Sequence, residues 1–406
     1  MPPAHQTGTA DRLASGYTNR FVGWALLVTG LAAAVVLDPW FMSVRSPTEL
    51  VESVRPAVRH AQSVVLEMAF LQLAVGFVLA TGAFSLRACR TAGCLTASGA
   101  ILYAAGYVLG VNWPAFTWLV LCGSLLNLGG LFHLIRVGPT GPNALNLKLG
   151  LSAVCFGMLL DLAAGLSINH PEYFMPAYLG AEDGVRLRML RLARVAAIAL
   201  PVLTLLYLGL VRRSGEIRRS TQWGRAGMLC GSIGMPMLLA AACYTWLPLK
   251  YLLAIPATGA FTGVLIAVGL SWRNGATLEK AGWSLIAVSL SAGLLMGCYA
   301  FDGPLPTPRF LGSYNEFARR LSRLAHAYCI VLGMLSIFLS RSLEDRLDGR
   351  LAQRAGIPLL FVGSLVTMTS IVLQVDPRMP TSLLGLGPAI VVIALLTCLI
   401  PIRRRM

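Results

Sequence analysis

Three sets of side chains in this sequence have types and spacings that could do chemistry. The first is arginine at helical spacing: Arg188, Arg191 and Arg194 in steps of three, and Arg319, Arg320 and Arg323, the last lying three and four residues after the other two. On a helix such steps keep guanidinium groups near one face, where they can bind phosphate or carboxylate through paired hydrogen bonds. The same groups could instead reach lipid phosphates or pair with Glu182, Asp183 and Glu316. The second set is two carboxylates inside apolar runs, Glu67 and Asp161. Charge is expensive there and tends to be kept for function, so either could carry a proton; a neutral acid hydrogen-bonded to a neighbouring helix is the alternative. The third set is histidine. His60 and His326 stand near the starts of apolar runs, and His133 stands near the end of another, beside Arg136.

The elements that must position these groups are membrane spans. The chain has 406 residues, 56% hydrophobic and 12% charged, too little polar surface to cover a water-soluble globule. Runs long enough to cross a bilayer lie near residues 21–37, 62–84, 94–111, 115–135, 149–168, 192–211, 226–246, 251–272, 282–300, 324–340, 356–375 and 383–402. The runs are continuous rather than alternating, which predicts an all-α polytopic bundle of about twelve transmembrane helices, not a barrel. The first twenty residues are polar and the first apolar run is already a full span, so no secretory leader is expected. The net charge of +16 is carried almost entirely by arginine. Most of it falls in alternate loops, which predicts a cell-membrane protein with both termini cytoplasmic and lipid, not nucleic acid, as its medium. The nine cysteines form no CxxC pair and read as packing residues.

The chain also repeats itself. At the offset that carries Lys148 to Lys280, an ungapped stretch of some sixty residues aligns Gly150, Ser152, Gly165, Pro176, Gly180, Arg188 and Arg191 with Gly282, Ser284, Gly297, Pro308, Gly312, Arg320 and Arg323. Ala92-Gly93, Ala226-Gly227 and Ala355-Gly356 open every fourth helix from the third, and Arg136, Arg273 and Arg403 close every fourth from the fourth. The expected organisation is a cytoplasmic segment, 1–20, and three repeats of four helices, 21–136, 149–273 and 282–403. In this register Arg194 corresponds to His326, and Asp161 to Gly293.

Twelve helices in three groups of four, with both termini inside, resemble subunit I of the haem-copper oxidase superfamily. The local match is Leu324-Ala325-His326-Ala327-Tyr328, similar to the family's tenth-helix A-H-x-H-Y motif with Tyr328 in place of the second histidine. His60 resembles the family's second-helix haem ligand. The resemblance implies one haem b held between His60 and His326, with Arg59, Arg320 or Arg323 meeting its propionates. Two interfacial histidines bonded to loop carbonyls are the other reading. The sixth helix carries Arg194 where the repeat would place a histidine, and residues 226–246 contain none. No copper ligands and no oxygen-reducing centre are therefore expected.

No P-loop, HExxH or GxSxG motif occurs, so soluble-type nucleotide or hydrolase chemistry has no footing. Three functions remain open: a degenerate respiratory-type protein binding one haem, a channel or transporter for a small or anionic solute, and a non-catalytic subunit packed against other membrane proteins. Transporters are commonly built from two related halves; a threefold plan fits that less well without excluding transport.

Overall fold

Each apolar run becomes a helix because, without water, a spanning backbone must satisfy its own hydrogen bonds. The computed structural model describes residues 16–46, 49, 54–141, 144–169, 184–215, 218–300, 303–312, 316–344, 355–376 and 378–399. Among these residues the chain forms twelve α-helices, three short 3-10 helices and no strand. The α-helices are α1 (Tyr17–Ser43), α2 (Arg55–Ala80), α3 (Leu86–Gly110), α4 (Trp118–Val137), α5 (Ala144–Asn169), α6 (Gly184–Ser214), α7 (Arg219–Tyr244), α8 (Ala254–Asn274), α9 (Thr277–Tyr299), α10 (Phe317–Glu344), α11 (Ile357–Leu373) and α12 (Leu383–Leu399). The protein is an all-α, multi-pass membrane bundle. Ten of its helical segments are long and apolar enough to cross a bilayer, and α11 and α12 are apolar helices just below that length. Exposed tryptophans near helix ends, among them Trp113, Trp118, Trp246 and Trp272, suit the two interfaces of a bilayer.

The helices α2, α6 and α10 begin well before the apolar runs that announce them. The arginine-rich stretches at Arg55–His60, Arg186–Arg191 and Arg319–Arg323 are themselves helical. Arginine is a good helix former, and its aliphatic stem can lie along apolar surface while its head stays polar. The P-x-x-L-G loop at 176–180, Glu182, Asp183, Arg346, Arg350, Arg354, Arg403 and both termini lie outside the described residues, and with them the cytoplasmic assignment of the termini.

Close packing depends on missing side chains, as expected where lipid gives no hydrophobic push between helices. A Cβ on Gly157 of α5 would fall 1.7 Å from the Ala197 carbonyl oxygen of α6. One on Gly227 of α7 would fall 2.3 Å from that of Gly259 on α8. The offset that aligns the sequence also relates contacts. Gly150 packs on Leu205, and Gly282 on Ile337; Asp161 meets Arg194, and Gly293 meets His326.

The described chain divides into two compact units. Unit 1 comprises Met1–Trp24, Glu67–Asn274 and Leu294–Pro306, and unit 2 comprises Ala25–Leu66, Gly275–Gly293 and Thr307–Met406. The unit boundaries cut across the expected four-helix repeats. Each unit contains one buried cluster built from an aspartate, an arginine and tyrosine.

Candidate functional site

In unit 1 the cluster joins three helices. α5 supplies Asp161, α6 supplies Arg194, and α3 supplies Tyr103 and Tyr107, which share a face because they are four residues apart. Arg194 Nε donates to Asp161 Oδ1 at 2.8 Å, and the Tyr103 hydroxyl donates to Asp161 Oδ2. Arg194 Nη2 donates to the Tyr107 hydroxyl. The guanidinium carbon also lies 5.2 Å from the Tyr107 ring centre, a cation–π contact. Both carboxylate oxygens are therefore satisfied. Gly165, one turn beyond Asp161, makes room: a Cβ there would stand 3.0 Å from the Tyr107 hydroxyl and 3.4 Å from Arg194 Nη2.

This cluster is sealed. Asp161 is 1% and Arg194 2% exposed, and each lies about two turns or more from the nearer end of its helix. A buried ion pair of this kind adds little net stability, because desolvation offsets attraction, yet losing one partner is very costly. Glu67 lies at the middle of α2, within electrostatic reach of both Asp161 and Arg194. It is only partly buried and makes no hydrogen bond or ion pair among the described residues.

In unit 2 the corresponding groups sit closer to helix ends. Asp38 of α1 accepts from Arg59 of α2 and from the Tyr328 hydroxyl of α10. Arg59 also donates to Gln62, whose amide donates to the Gly30 carbonyl at 3.1 Å. Asp38 is enclosed, but the Arg59 side chain is 22% exposed. Two more arginines hold the C-terminus of α1. Arg55 donates to the Trp40 carbonyl at 2.6 Å, and Arg320 donates to that of Val44. Cations belong at the carbonyl end of a helix, where they satisfy orphan acceptors and oppose the dipole.

The arginines expected to share an anionic ligand are thus separated in role. Arg59, Arg194 and Arg320 are met by internal partners. Arg188 donates through Nε to the Gly184 carbonyl at 2.6 Å. Arg191 is exposed, with no hydrogen bond or ion pair among the described residues, and Arg323 is half-buried within electrostatic reach of Arg320. Steps of three drift backward by about 60° each, so the series that is exposed at Arg191 has turned into the core by Arg194.

The geometry gives no support to a haem between His60 and His326. Tyr328 points from α10 toward Asp38 on α1, and His326, two residues earlier, is about 200° around the helix. Its ring faces α9 instead, with Nδ1 2.9 Å from both the Ser289 hydroxyl and the Ser289 carbonyl oxygen. A Cβ on Gly293 would lie 2.9 Å from its Cε1. His326 is seated as a packing group between α9 and α10, while His60 follows Arg59 on α2, half-buried. His133 is likewise half-buried on α4.

Sequence reasoning missed Asp38, Gln62, Tyr103 and Tyr107. The available signal for the tyrosines was their spacing in Tyr103-Ala-Ala-Gly-Tyr107, which marks a polar pair on a small-residue face. It also missed an uncharged network tying α1 to α4 within unit 1. Asn19 donates to Gln72 at 2.6 Å and to Thr96 at 2.7 Å, and Gln72 donates to Asn127 at 3.4 Å, all four residues fully buried. No protein-family model and no curated protein matches the chain.

Proposed function

We propose that this protein is a cell-membrane carrier, with both termini cytoplasmic, that moves a small monovalent oxyanion together with a proton. Arg194 is the anion site and Asp161 the proton switch. The observation that carries the reading is the sealed Asp161–Arg194 pair between two tyrosine hydroxyls, on helices long and apolar enough to cross a bilayer. Ionisable groups within such helices are retained at a cost in stability and mark ion pathways by default.

The chemistry follows from charge balance. At rest the aspartate occupies the guanidinium, and the pair is neutral. A proton on Asp161 removes its charge and leaves Arg194 with an unmatched cation in a low-dielectric site. A carboxylate or nitrate then takes the place of the aspartate through paired hydrogen bonds. The Tyr103 hydroxyl, released from Asp161, becomes a further donor to the anion. One proton enters per anion, so the buried site is neutral both before and after the exchange. Arg188 and Arg191 precede Arg194 on α6 and bring anions toward it by their positive field.

The test is uptake of labelled nitrate and lactate into liposomes holding the purified protein. Uptake driven by an inward proton gradient is expected, with loss of at least tenfold in Arg194→Gln. Equal uptake in liposomes with and without the protein overturns the proposal.

A further inference from the structure

We infer that His326, Cys329 and Met368 form a site for one soft monovalent metal ion, Cu(I). All three belong to unit 2, and the site is independent of the carrier reading above, which concerns unit 1.

The two sulfurs are already at the right separation. Cys329 of α10 and Met368 of α11 bring Sγ and Sδ to 3.8 Å. Metal–sulfur bonds of about 2.3 Å, at tetrahedral to trigonal angles, hold two sulfurs about 3.8–4.0 Å apart. Both side chains are half-buried. Met368 lies within two turns of the C-terminal end of α11, which sets the pair near an end of that helix rather than at its middle.

The third donor stands one turn earlier on α10. Residues three apart on a helix have Cβ atoms about 5–6 Å apart, so His326 and Cys329 are neighbours. The partners of His326 fix its tautomer. The Ser289 hydroxyl donates to the His326 carbonyl at 2.9 Å, so its proton is committed. Nδ1 is then the N–H that donates to the Ser289 carbonyl, also at 2.9 Å. In the neutral ring the lone pair is left on Nε2, which has no hydrogen-bond partner among the described residues. A metal-ligating histidine almost always anchors its other nitrogen in this manner. The seat that packs the ring between α9 and α10 thus also prepares a ligand.

The donor set selects the ion. A thiolate, a thioether and an imidazole nitrogen favour Cu(I) over harder ions. No group of three His, Cys, Asp or Glu side chains occurs among the described residues, so ions that seek carboxylates have no comparable site there. Charge points the same way. On binding, the Cys329 S–H bond breaks, its proton goes to the medium, and a copper–sulfur bond forms. Thiolate and Cu(I) then cancel, whereas a divalent ion would leave an unmatched positive charge in a low-dielectric place. At the offset that aligns the sequence with itself, His326 and Cys329 fall on Arg194 and Ala197, so the repeated scaffold does not itself require this pair.

The test is titration of the purified full-length protein with Cu(I) under argon, against the chelator bicinchoninate. Wild type should hold a tight equivalent of Cu(I). Cys329→Ser, Met368→Leu and His326→Gln should each weaken it at least tenfold, and Cys230→Ser, at an exposed cysteine of α7, should leave it unchanged. Met368→Leu conserves volume, so an unchanged melting temperature in that variant separates lost ligation from lost folding. X-ray absorption at the copper edge of wild type should give one nitrogen and two sulfur neighbours. No Cu(I) retained against the chelator, affinity equal to wild type in any of the three variants, fewer than two sulfur neighbours, or displacement of the copper by equimolar Zn(II) overturns the site.

Discussion

The two units solve one chemical problem in different settings. Each buries an aspartate from one helix against an arginine from the next, with tyrosine from a helix distant in sequence as a further partner. In unit 2 the pair Asp38–Arg59 lies near helix ends, and Arg59 keeps contact with the surface. In unit 1 the pair Asp161–Arg194 is enclosed, flanked by two tyrosines, and accompanied by Glu67. The first arrangement ties α1 to α2 and α10. On the carrier reading the second is more than a tie, because its sealed pair can exchange an aspartate for an anion, which a static fastening does not need.

The contrast predicts unequal costs. Arg194→Ala leaves Asp161 charged and unpaired in the core and should destabilise the folded protein against unfolding in mixed micelles by about 3–5 kcal/mol. Arg59→Ala should cost less, about 1–3 kcal/mol, because water reaches the vacated side of Asp38. Equal losses would erase the distinction between the two sites. The tyrosines sharpen it on a finer scale. Tyr103→Phe leaves an oxygen of a sealed aspartate without a donor, and should cost about 2 kcal/mol, against about 1 kcal/mol for Tyr328→Phe. The smallest effect is expected at Gly297, the repeat counterpart of Gly165. Nothing lies within 4 Å of a Cβ there, so Gly297→Ala should change stability by no more than about 1 kcal/mol, in the favourable direction. Gly165→Ala, which crowds Tyr107 and Arg194, should be destabilising in the same assay.

The helices were legible because a run of apolar residues has few other fates in a bilayer. The N-terminal ends of α2, α6 and α10 were not, since arginine-rich turns read as loop by hydropathy although arginine favours helix. Arg194, Asp161 and Glu67 were legible as charges in the wrong solvent. Their partnership was not: Arg194 is 33 positions from Asp161 and 87 from Tyr107, and only the helix rotations bring them together. Asp38 directly follows an apolar run with no local mark of a site, and its partner Tyr328 is 290 positions away. The histidine motif shows the converse failure. His326 and Tyr328 are close in sequence, yet a two-residue step on a helix sends them to different neighbours.

The central claim is that a proton on Asp161 exchanges the aspartate for an external anion on Arg194. It is tested most directly by counting protons as nitrate binds to the purified protein in weakly buffered detergent solution. The account predicts uptake of about one proton per nitrate bound, from the neutrality that a buried low-dielectric site imposes. Asp161→Asn should bind nitrate with no proton uptake. Nitrate binding by the wild-type protein without proton uptake, or proton uptake unchanged in Asp161→Asn, would contradict it.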